Sequence, residues 1–145
     1  MLLLQKSQYH QMIAHAHSCL PNEACGLLAG VKEDGKKTVR RIYLLANTDQ
    51  SPEHFSMDPR EQFAALRDAR NNGWEILGNF HSHPSTPSFP SAEDIRLAFD
   101  PSLSYIILSL ANKQQPVVKS FRIKSSVVTE EPCHVWEEAA ERSFG

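Results

Sequence analysis

Between Ser7 and Cys19 the apolar residues Tyr9, Met12, Ile13 and Ala16 recur at helical spacing, and Pro21 closes the segment. The pattern then changes. Ala24 to Val31 is a short apolar run suited to a buried strand, and Lys32 to Lys36 carries an Asp-Gly turn signal. Thr38 to Ala46 reads as a second strand, so the two predict a hairpin. A polar loop from Asn47 to Met57 leads into Asp58-Pro59-Arg60-Glu61. There an N-cap Asp, a proline at the first helical position and a Glu three residues after the cap open a helix. Phe63, Leu66 and the alanines form its apolar side, and Asn71-Asn72-Gly73 ends it.

Trp74 to Phe80 returns to strand character and runs straight into His81-Ser82-His83-Pro84. Pro84, Pro87 and Pro90 make the next connection extended and restricted. Ser91-Ala92-Glu93-Asp94 opens a short helix that Pro101 terminates. Tyr105 to Leu110 is a buried strand, and Val117 to Ile123 alternates with Val117, Phe121 and Ile123 on one side. The tail after Ser125 carries mixed signals and supports no assignment. Helices and strands are interspersed, so the expected class is α/β, a mixed β-sheet flanked by helices.

Composition narrows the possibilities. A chain of 145 residues that is 41% hydrophobic fits one globular domain, residues 1–145, able to bury a core without covalent staples. Fifteen Lys and Arg against seventeen Asp and Glu leave no basic excess for a phosphate backbone, which disfavours a nucleic-acid partner. Cys19, Cys25 and Cys133 are odd in number and far from zinc-finger spacing, as expected of free thiols in a reducing compartment. Met1 to Leu4 is too short for a signal h-region, and no apolar run approaches the ~20 residues of a membrane span. The expectation is a soluble, cytoplasmic protein with no membrane partner.

The chemistry concentrates at His81-Ser82-His83 and Asp94. Strand residues two apart point to one face, so both imidazoles project together, and the proline-stiffened loop brings a carboxylate towards them. Two histidines and one carboxylate form a ligand set of catalytic zinc. Such a site needs a proton carrier that is not a ligand. Glu23, at the mouth of the apolar strand, is placed for it, with Glu33, Glu53 and Glu93 also available. Bland readings compete. An isolated H-x-H more often makes ordinary hydrogen bonds, and Ser91-x-x-Asp94 is also a capping box. His10, His15 and His17 fall mostly on the polar side of the first helix and are expected to be solvated; His54 and His134 have no partner at ligand spacing. Cys25 reads as a small core residue.

Together, Glu23, then His81-Ser82-His83-Pro84, six residues, and Ser91-Ala92-Glu93-Asp94 resemble the JAMM motif of the MPN-domain metalloproteases. Asn22-Glu23-Ala24-Cys25-Gly26-Leu27-Leu28-Ala29-Gly30 resembles the family's E-x-x-G-x-L-x-G start. Asn47 to Pro59 is similar to the prokaryotic branch. The resemblance covers about residues 5–124, with about 125–145 as an unassigned tail. It implies an MPN domain of cytidine-deaminase-like architecture, one Zn2+ per chain on His81, His83 and Asp94, Glu23 as general base and then acid, and Ser91 as an oxyanion donor. Deaminase chemistry itself needs Pro-Cys-x-x-Cys, and Pro132-Cys133 has no second Cys. The implied reaction is metallopeptidase or isopeptidase hydrolysis after the C-terminal Gly-Gly of a ubiquitin-like or sulfur-carrier protein, by zinc-activated water. The short connections resemble members that trim a residue or short peptide from a sulfur carrier. A broader deubiquitinase-like isopeptidase and a non-catalytic MPN scaffold are the alternatives.

Overall fold

The computed structural model describes residues 1–137. In chain order it contains β1 (Leu2–Gln5), α1 (Lys6–Cys19), β2 (Cys25–Glu33), β3 (Lys36–Leu45), α2 (Pro59–Asn71) and β4 (Glu75–His83). These are followed by α3 (Ala92–Arg96), β5 (Ser104–Ser109), β6 (Val117–Lys124), β7 (Val127–Glu131) and β8 (Cys133–Trp136). The described strands form one eight-stranded sheet in the order β7-β6-β5-β4-β2-β3-β1-β8. It is mixed, as expected: β4 runs parallel to β5 and antiparallel to β2, while β1 lies parallel to both β3 and β8.

The predicted hairpin is β2–β3, and its two-residue loop has positive φ at Asp34 (52°) and Gly35 (76°). That is the requirement of a type I′ turn, whose twist matches the strands it joins. Asp58 caps α2 by accepting from the Arg60 N–H at 2.8 Å, with Pro59 in the first turn. One face of the sheet, with Leu28, Phe80, Ile106 and Leu108, packs beneath Met12 and Ala16 of α1. His15 belongs to this packing and not to the solvent. Its Nε2 lies 3.1 Å from the Leu45 carbonyl and 3.2 Å from that of Cys25, tying α1 to the ends of β2 and β3.

Four features differ from the sequence expectations. β1 was hidden because Leu2-Leu3-Leu4 shows no alternation, although Leu2 and Leu4 are fully buried. α3 stops at Arg96 instead of reaching Pro101, since the Asp100 carboxylate accepts from the Ser102 N–H and hydroxyl and sets a turn before β5. On α2 the small residues Ala65 and Ala69 are the buried side, while Phe63 and Leu66 are exposed. Beyond Ser125 the chain forms β7 and β8. The β6–β7 turn is Ser125-Ser126 with both φ positive, a conformation that carries no glycine or asparagine to announce it.

β7 is anchored from inside. Buried Glu131 accepts from the hydroxyls of Ser104 (2.6 Å) and Ser120 (2.8 Å), and buried Lys37 donates to Ser104 Oγ and the Ser102 carbonyl, both at 2.7 Å. This network joins β3, β5, β6 and β7 at the end of the sheet away from the histidines.

Candidate metal centre

The opposite sheet face carries the histidines at the C-terminal end of β4. His81 and His83 point one way from the strand, and Ser82 points the other, into the core. The fully buried Ser82 Oγ accepts from the Ala24 N–H at 2.8 Å, and its own N–H donates to the Ala24 carbonyl at 3.0 Å. With Cys25 paired to His81, this locks the residue after Glu23 against the middle of the H-x-H segment. Close approach of β2 and β4 also explains Gly26. A Cβ there would run into the Phe80 ring and the Tyr43 carbonyl.

His81 Nε2 lies 3.1 Å from His83 Nε2 and 3.1 Å from Asp94 Oδ2, and His83 Nε2 is 3.3 Å from the same oxygen. Donor atoms around a tetrahedral ion with bonds of about 2.0–2.1 Å stand about 3.3–3.4 Å apart, so the three fit one small cation. His81, His83 and Asp94 offer ligand atoms that all lie within 4.8 Å of one another. The capping and metal readings of Asp94 prove compatible. Asp94 Oδ2 accepts from the Ser91 N–H at 2.9 Å and Ser91 Oγ accepts from the Asp94 N–H at 3.0 Å, while that same Oδ2 faces the imidazoles. The capping box thus aims the carboxylate.

Electrostatics match a site made for a positive charge. Burial pushes the Asp94 carboxyl up, but hydrogen bonds from His81 and His83 outweigh it and hold it well below the carboxylate range. Burial lowers His83, yet the bonds to Asp94 and to the Pro87 carbonyl (2.9 Å) leave its pKa raised. The loop supplying Pro87 is pinned by Ser88 Oγ, which donates to the Val117 carbonyl at 2.7 Å, and by Ser109 Oγ, which donates to that of Thr86 at 2.6 Å.

Glu23 is 4% exposed, and burial, opposed by His83, pushes its carboxyl up to about 8. The other candidate acids are less buried. Glu33 and Glu53 are exposed, and Glu93 pairs with His54 at 2.9 Å, which also gives His54 a partner the sequence did not show. Ser91 is exposed at the α3 N-cap. Cys25 is buried, and burial pushes its thiol up to about 12, as suits a core residue.

His81 and Asp94 open onto a groove of about 890 Å³. Phe63 and Leu66 from α2 line it together with Leu97 and Phe99, the last 84% exposed. Glu53, Glu93 and Asp100 also line it, and no Lys or Arg does among the described residues. Two more contributors were missed from the sequence. Phe55 stacks on His81, and the Asn47 side chain donates to the Glu23 carbonyl at 3.0 Å. An aromatic ring in an otherwise polar loop was the available signal for the first.

A mixed α/β domain that aims two imidazoles and a carboxylate at one point, near a buried acid and an apolar groove, is of a class able to hold a metal ion. The profile of the prokaryotic homologs of the JAB domain matches residues 5–124, and the chain belongs to that family. It is 32% identical over 137 residues to the CysO-cysteine peptidase of Mycobacterium tuberculosis, covering 94% of this chain and 92% of the relative. A solution structure of a Desulfitobacterium hafniense protein superposes with a TM-score of 0.88 at 60% identity, over 97% of both chains. The crystal structure of a JAB1/MPN domain protein from Archaeoglobus fulgidus shares the fold, with a TM-score of 0.58 at 21% identity over 93% of this chain and 97% of that one. No helix among the described residues is long and apolar enough to cross a membrane.

Proposed function

We propose that the protein is a zinc-dependent peptidase that hydrolyses the amide bond after the C-terminal Gly-Gly of a sulfur-carrier or other ubiquitin-like protein. The observation that carries this is the convergence of His81, His83 and Asp94 beside buried Glu23. Likeness to a CysO-cysteine peptidase over nearly the whole chain supports the substrate class.

His81, His83 and Asp94 hold one zinc ion, which when bound supplies Lewis acidity to the scissile carbonyl and to water. Glu23, poised near neutrality by burial, takes a proton from the attacking water and returns it to the leaving amine. Ser91 Oγ accepts from the Asp94 N–H, which leaves its own O–H to donate to the oxygen on which negative charge grows. The groove receives the carrier: its apolar walls hold an extended tail, and its carboxylates favour basic residues flanking the two glycines. Glycine suits such an approach because it lacks the side chain that would hold the backbone away from the site.

The test is incubation with a sulfur-carrier protein extended past its Gly-Gly by one Cys, followed by intact mass. Loss of that residue, blocked by a chelator and restored by zinc, is the expected result. A zinc-loaded enzyme that leaves the extended carrier intact refutes the assignment of this substrate.

A further inference from the structure

The two histidines are held by different devices. His83 has its Nδ1 fixed to the Pro87 carbonyl at 2.9 Å, so its Nε2 can point only at the centre. His81 has no such partner: its Nδ1 is the buried side-chain polar atom without a hydrogen bond among the described residues. A metal-binding imidazole normally needs its second nitrogen tethered to set the orientation of the ring. For His81 another contact performs this. The Phe55 ring stacks on it with centroids 4.7 Å apart and planes 22° from parallel, while the His83 ring lies tilted beside it at 4.9 Å.

Phe55 sits in the connection between β3 and α2, which has no regular structure beyond a bridge between Asn47 and Met57. Thr48 bonds to the Ser56 carbonyl through its N–H at 2.9 Å and its hydroxyl at 3.1 Å, and Asn47 brackets Phe55 itself. Asn47 Nδ2 donates to the carbonyl of His54 at 2.9 Å and Asn47 Oδ1 accepts from the Ser56 N–H at 3.2 Å, so the residues on both sides of Phe55 are fastened to it. The same Nδ2 donates to the Glu23 carbonyl, while the Glu23 N–H donates to the Ser51 carbonyl at 2.8 Å. The segment from Asn47 to Met57 therefore grips the backbone of Glu23 on both sides and the ring of His81 on its face.

We infer that Phe55 and Asn47 are positioning residues of the metal centre: Phe55 orients His81 by stacking where a hydrogen bond is missing, and Asn47 holds Phe55 and Glu23 in register. This rests on His81 being a metal ligand, and the measurements separate the two claims. Zinc affinity is measured by competition with a chromogenic chelator for the wild type, Phe55→Leu, Phe55→Tyr, Asn47→Ser and the double variant Phe55→Leu/Asn47→Ser. Imidazole resonances of the metal-free proteins are recorded alongside.

Wild-type chain that binds no zinc overturns the functional reading itself. With zinc binding present, Phe55→Leu is expected to bind about 10-fold more weakly, as outer-shell partners do when removed. Phe55→Tyr, which keeps the ring, stays within about 2-fold of wild type. Asn47→Ser weakens zinc similarly, and the double variant is no worse than Phe55→Leu by more than about 3-fold, because both act on one contact. His81 of metal-free Phe55→Leu shows two ring orientations where the wild type shows one. Phe55 lies in a loop outside the core cluster, so its substitution leaves the fold intact, and Asn47→Ser gives an independent reading. Wild-type zinc affinity and a single His81 orientation in Phe55→Leu overturn the inference while leaving the metal site standing.

Discussion

Replacing Glu23 by Gln in the metal-free protein should stabilise the fold, and increasingly so as pH rises. Burial lifts the Glu23 carboxyl from 4.5 to about 8, so between those values the folded chain holds a proton that the unfolded chain has released. Stability falls with rising pH wherever the native state binds more protons, and each unit corresponds to about 1.4 kcal/mol. Relative to the acid limit, the wild type loses about 3 kcal/mol by pH 7 and about 5 kcal/mol by pH 9, and nothing further above that. Gln has the shape of the protonated acid and no charge to bury, so it escapes the loss. The assay is urea unfolding of both proteins in chelator at pH 5, 6, 7, 8 and 9. Comparing the two at each pH removes most of the titration of His83 and Asp94, leaving only the part that depends on the Glu23 charge. The stability gap should widen steadily from pH 5 to pH 8 and then level off. A cation on the three donors lowers the Glu23 pKa, so zinc should shrink the slope. A gap that is flat with pH refutes the claim that Glu23 is a buried acid poised near neutrality. In the zinc-loaded protein the same substitution should retain the metal and lower turnover by about 10²–10⁴-fold.

Two further outcomes test the scaffold. Gly26→Ala should destabilise the protein by about 1–3 kcal/mol, read from the urea midpoint, because the new Cβ meets Phe80 and the Tyr43 carbonyl. An unchanged midpoint would mean that β2 and β4 have room to part. Glu131→Ala should cost about 1–3 kcal/mol by leaving the buried Ser104 and Ser120 hydroxyls without their acceptor and removing the negative charge that offsets Lys37, and Lys37→Met in that background should recover part of the loss. If the double variant unfolds as easily as Glu131→Ala, the network is not acting as a unit.

Much of the site is legible in the amino-acid sequence. The spacing of His81 and His83 fixes both rings on one face, because strand side chains alternate with a period of two residues. Asp58-Pro59 and Asp34-Gly35 specify a helix start and a turn through their own dihedral preferences. Ser91 and Asp94 specify a capped first turn, and the family pattern adds that the same carboxylate faces the histidines, as its Oδ2 does.

Other features depend on partners distant in sequence. Glu23 comes to the histidines through the pairing of Cys25 with His81 and the Ser82 bond to Ala24, contacts across more than fifty residues that no local pattern encodes. Phe63 and Leu66 resemble a core face because periodicity reports a stripe but not what covers it. In the fold the helix rests on Ala65 and Ala69, and the larger residues are left to line the groove. Phe55 belongs to a polar loop by sequence, and contacts made only in the fold, those of Asn47 among them, set that loop over His81. Sequence alone determined which residues could do the chemistry and which way each strand presents them, since those follow from backbone geometry within a few residues. Tertiary structure decided which acid is buried, which ring stacks on which histidine and which apolar side chains stay open, because burial and hydrogen-bond pairing exist only after distant segments have packed.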